Sequence, residues 1–96
     1  MGRYLALWEI DNSRVPVDAN EWAEMRRRLM AMVEQDMKAG KLKEWGAFFF
    51  ERRGYAVYEG TEVEVDSMLG QYTPYGIFKV HPVITLDQLM ESLQTR

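Results

Sequence analysis

The sequence predicts an α+β protein: a four-stranded antiparallel sheet, two helices over one of its faces, and a third helix at the C-terminus. Three observations carry this. Three segments repeat apolar residues at three- and four-residue steps, the mark of a helix with one buried stripe. Four others are short, rich in aromatic and β-branched residues, and bounded by Gly, Pro, Asn or Asp, as strands are. The two kinds alternate as β-α-β-β-α-β-α, with a tight connection between the second and third strands.

The first strand runs from Arg3 to Ile10 and is stopped by Asp11-Asn12-Ser13 and Pro16. A long helix follows. Asp18, with Glu21 three residues on, makes its N-terminus, and Trp22, Met25, Leu29, Met32, Val33 and Met37 form its stripe before Gly40 ends it. The second strand spans Lys43 to Glu51, and Arg52-Arg53-Gly54 is expected to turn the chain into a third strand, Tyr55 to Glu59. Thr61 and Glu64 stand at capping-box spacing ahead of Val65, Met68, Leu69 and Tyr72, so a short helix ends near Gly70. After the loop from Tyr72 to Gly76 comes the last strand, Ile77 to Val83. Thr85 and Gln88 then cap a tail helix striped by Leu86, Leu89, Met90 and Leu93, which must dock on something. This order is the ferredoxin-like, split-βαβ pattern.

With 96 residues the chain is one domain, residues 1–96, and its 47% hydrophobic content suits a packed globule. Twelve Lys and Arg against 15 Asp and Glu leave a net charge of −3, which argues against nucleic acid as a partner. There is no cysteine, hence no disulfide and no thiolate chemistry. No apolar run approaches the ~20 residues that cross a bilayer, and the N-terminus lacks a signal-peptide pattern, so a cytoplasmic protein without a membrane partner is expected. Neither P-loop nor GxGxxG nor GxSxG occurs, and no cofactor or metal is expected.

Period-two alternation separates two sets of strand residues. Leu5, Leu7, Phe48, Phe50, Phe78 and Val80 are expected under the helices. Tyr4, Ala6, Trp8, Trp45, Ala47, Phe49, Ala56, Tyr58, Ile77, Lys79 and His81 are expected on the other face. That second set is too aromatic to face water, which predicts a homodimer or higher homo-oligomer closed over it.

The stretch Ala39-Gly40-Lys41, the hairpin from Trp45 through Arg53-Gly54-Tyr55-Ala56-Val57-Tyr58, and the run Gln71-Tyr72-Thr73-Pro74-Tyr75-Gly76-Ile77-Phe78-Lys79-Val80-His81-Pro82-Val83 resemble the muconolactone isomerase family and, more broadly, the dimeric α+β barrel proteins. The opening strand Tyr4-Leu5-Ala6-Leu7-Trp8, followed by Val15-Pro16, is similar too. The resemblance implies a dimeric α+β barrel and a cofactor-free site for a small organic acid or lactone, with proton transfer as its chemistry. It transfers no catalytic residue, and the helical tail departs from the family's pattern.

From the residues themselves, His81 is the sole histidine and the one side chain that titrates near neutrality unaided, so it is the candidate acid–base group. Glu51 is the second catalytic candidate. Arg52 is placed to fork onto a substrate carboxylate, and Tyr4, Trp8, Trp45, Tyr58 and Lys79 complete the candidate substrate-binding set. Each has a structural alternative, respectively a strand-end histidine, a solvated turn, and a core or interface aromatic. Two functions therefore stay open: isomerase-like proton transfer, or a non-catalytic dimer that binds a metabolite or a protein.

Overall fold

The structure, a computed structural model, describes residues 2–94; Met1, Thr95 and Arg96 lie outside the described residues. Strands β1 (Gly2–Ile10), β2 (Leu42–Ala47), β3 (Arg53–Gly60) and β4 (Gly76–Val83) form one antiparallel sheet in the order β2-β3-β1-β4. Helix α1 (Ala19–Lys38) joins β1 to β2, α2 (Glu62–Gly70) joins β3 to β4, and α3 (Leu86–Gln94) follows β4. Order and pairing are those expected and are compatible with a ferredoxin-like fold. Among the described residues, no helix is long and apolar enough to cross a membrane.

The helix ends follow from their caps. The Asp18 carboxylate accepts from the Asn20 and Glu21 amides, at 2.7 and 3.2 Å. Thr61 and Glu64 exchange both bonds of a capping box, and so do Thr85 and Gln88. At the far end of α1, Gly40 takes a φ of +79°, the left-handed conformation that a residue with a Cβ resists.

The hairpin differs from expectation. β2 stops at Ala47, and the turn is made by Phe48 to Arg52, closed by the Phe48 amide donating to the Arg53 carbonyl at 2.9 Å. Gly54 is not in the turn but inside β3, opposite Trp8 on β1 and Ala47 on β2. Phe50, expected under the helices, and Phe49, expected on the opposite face, thus both stand in water at the tip.

The faces of three strands are also reversed. In β1, β2 and β3 the helix side carries Tyr4, Ala6, Trp8, Trp45, Ala56 and Tyr58, and the buried core joins Ala6, Ala56 and Tyr58 to Leu42, Val33, Val65, Leu69 and Tyr72. Leu5 and Leu7 point the other way, beside Val57 and Tyr55. Only β4 keeps its expected faces, with Phe78 opposite Trp8 and Val80 opposite Ala6. The reason is steric. Trp8, Trp45 and Tyr58 can lie under the helices because their neighbours Ala6, Ala56 and Gly54 are small, whereas Leu5-Ala6-Leu7-Trp8 is apolar on both sides and offers no polar face to choose by.

Candidate functional site

The sheet and α1 enclose a cleft of about 70 Å³, bordered by Trp8, Leu29, Val33, Trp45, Tyr58, Tyr72 and Phe78. Trp8 and Trp45, on strands separated by β3, stack with ring centroids 5.2 Å apart and 8° between planes. Ala56, between them on β3, is small enough to permit the stack. The Trp8 indole N–H donates to the Tyr55 carbonyl at 3.2 Å. Phe78 meets Tyr72 edge-on at 6.1 Å.

Behind this aromatic wall lies a polar cluster. Asp36, on the buried stripe of α1, is the one buried charged residue among the described residues. Its carboxylate accepts the Tyr72 hydroxyl at 2.9 Å and the Gln71 amide at 3.1 and 3.0 Å. Three hydrogen bonds from these two donors take the place of the water it has lost. Tyr58 joins the group through Tyr72. Burial, and then the Asp36 charge, push the Tyr58 phenol up to about 12, and burial with the neighbouring Tyr58 and Asp36 pushes Tyr72 up as well. Both phenols are therefore neutral at pH 7, able to give or take hydrogen bonds and poorly suited to act as bases.

The structure brings together Trp8, Trp45 and Tyr58 from the sequence-based candidates. Tyr4 lies on the same side of the sheet and packs against the core without bordering the cleft. The others are elsewhere. His81 and Lys79 lie on the opposite sheet face, level with Leu5 and Leu7. Glu51 is exposed in the hairpin turn. Arg52 is held by a cation–π contact 5.0 Å above the Trp22 ring, with a bond to Asn12 Oδ1 at 3.2 Å. Among the described residues, no three His, Asp or Glu side chains gather as metal ligands would.

Asp36, Gln71 and, as a hydrogen-bonding partner, Tyr72 are what sequence reasoning missed. One signal was available: Asp36 falls on the same helical stripe as Met25, Leu29, Met32 and Val33, and a carboxylate on an apolar stripe needs a buried donor.

No protein-family model matches the chain, the muconolactone isomerase family included, and no curated protein matches it.

Proposed function

We propose that the protein binds a small, uncharged, ring-bearing molecule such as a lactone or a phenol in the cleft between α1 and the sheet, and does so as a homo-oligomer. The observation that carries this reading is the lining. Stacked indoles and two neutral phenols offer apolar surface and hydrogen bonds, while among the described residues no Arg, Lys or His borders the cleft and the one charged residue at it is Glu9. A carboxylate there would lose its hydration without gaining a cation, so the neutral member of the organic acid and lactone pair is the better fit. The small volume favours a single ring, with its substituents at the mouth. Binding is also better supported than proton transfer, because the sole histidine lies across the sheet and both phenols hold their protons at pH 7.

Self-association follows from the open sheet face. Leu5, Leu7, Tyr55, Val57 and Ile77 share it with the Arg3–Glu59 and Arg53–Glu9 ion pairs, and no helix among the described residues covers it. A thermal-shift series decides the ligand class. At 100 times its Kd a neutral lactone or phenol adds roughly 2.7 kcal/mol of stability, and Trp45→Ala removes that gain. Stabilisation by the matching carboxylates instead, or by neither class, would overturn the reading.

A further inference from the structure

The tail of the chain stands apart from its core. Helix α3 has no buried residue, and its stripe of Leu86, Leu89, Met90 and Leu93 is 46–72% exposed. Only Ile84 and Thr85 separate it from β4, too short a joint to bring it back over the sheet. The molecule is accordingly long, 58 × 24 × 19 Å, although its 20-residue helix α1 accounts for only about 30 Å of that length. Its radius of gyration is 15.6 Å, against roughly 12.5 Å for a compact chain of this size. A nine-residue helix is marginal in water by itself and gains its stability from the surface on which its stripe is buried.

A surface of matching pattern and opposite charge occurs on this same chain. Ala23, Met30 and Met37 recur every seven residues along the outer side of α1, and both methionines are exposed. Arg26, Arg27 and Lys38 flank this seam, against Glu34 and the Glu24 that pairs with Arg27. The seam is therefore net positive. Helix α3 carries Asp87 and Glu91 and no basic residue. An acidic helix with a leucine stripe and a methionine seam of net positive charge are complementary in both respects.

We infer that α3 of one copy docks along the Ala23–Met30–Met37 seam of α1 in a second copy, each chain giving its tail and receiving its partner's. The contact is isologous and closes on two chains. Because Met30 also borders the cleft, the incoming helix stands at the cleft's mouth.

The absence of cysteine makes a direct test possible. Met30→Cys and Leu89→Cys chains, mixed and oxidised, are expected to form a covalent heterodimer. A sedimentation series should show a dimer for the natural chain and a loss of at least about thirtyfold in association for Leu89→Glu, as for a central anchor. Leu7→Glu, on the open sheet face, separates this contact from sheet pairing. Glu91→Arg should weaken the dimer, and Arg27→Glu combined with it should restore part of the loss. A monomeric natural chain, a dimer broken by Leu7→Glu and indifferent to Leu89→Glu, or a disulfide within one chain of the double variant Met30→Cys, Leu89→Cys would each overturn the inference. None of these readings uses a ligand, so failure of the lactone or phenol screen leaves them unaffected.

Discussion

On the side of the sheet that faces the helices, small residues sit at the centre and large ones around them. Ala6, Ala56 and Gly54 let Trp8, Trp45 and Tyr58 lie flat, and a buried carboxylate receives three hydrogen bonds from two side chains. On the opposite side the rows are Leu5 with Val57 and His81, and Leu7 with Tyr55 and Lys79, framed by the Arg3–Glu59 and Arg53–Glu9 ion pairs. There the Glu44 carboxylate accepts the Tyr55 hydroxyl at 3.0 Å and raises its phenol, and Arg3 holds the Glu59 carboxyl below the usual carboxylate range. The first side depends on close fit and the second on exchangeable surface contacts, so substitutions should separate them sharply.

The largest effect is expected at Gly54. A Cβ there would overlap the Gly46 carbonyl and stand 2.5 Å from the Trp8 ring, and neither strand can give way without breaking the sheet. Gly54→Ala should cost about 3 kcal/mol or more in urea unfolding. A loss under 1 kcal/mol would show that the helix side is looser than its contacts indicate.

Asp36→Ala comes next, at about 1–3 kcal/mol, since it strands the Tyr72 hydroxyl and the Gln71 amide. Pairing it with Tyr72→Phe should cost less than the sum of the two single changes. Strict additivity would mean that the cluster is not one unit.

Alkaline titration probes the same cluster more gently. Below pH 10 the Tyr58 phenol is neutral both folded and unfolded and leaves stability unchanged. Between pH 10 and about 12 only the unfolded chain ionises, so stability falls as pH rises through that window. Tyr58→Phe should flatten the fall, and an unchanged slope would assign it to other groups.

The smallest effect belongs to the open side. Leu7→Ala should cost under about 1 kcal/mol at high dilution, in keeping with a surface position. A cost that grows with protein concentration would mean that a second copy covers this face.

The sequence by itself determined the element order and the helix ends. Asp18, Thr61 and Thr85 act within three residues of where they stand, and hydrophobic period is a local property. Trp8, Trp45 and Tyr58 were legible as aromatic candidates because few residue types present so large a flat surface. What only the tertiary structure decided was which side of each strand lies inside, and therefore which candidates meet. β1 is apolar on both sides, so its facing was settled by the fit of Ala6 and Ala56 beneath the helix layer, a relation between residues 50 apart in sequence. The separation of His81 and Lys79 from the cleft follows from that choice, since antiparallel pairing sets them level with Leu5 and Leu7. The meeting of Asp36 with Gln71 and Tyr72 has the same origin, because a carboxylate on α1 reaches donors 35 and 36 positions away only once both segments pack on the sheet.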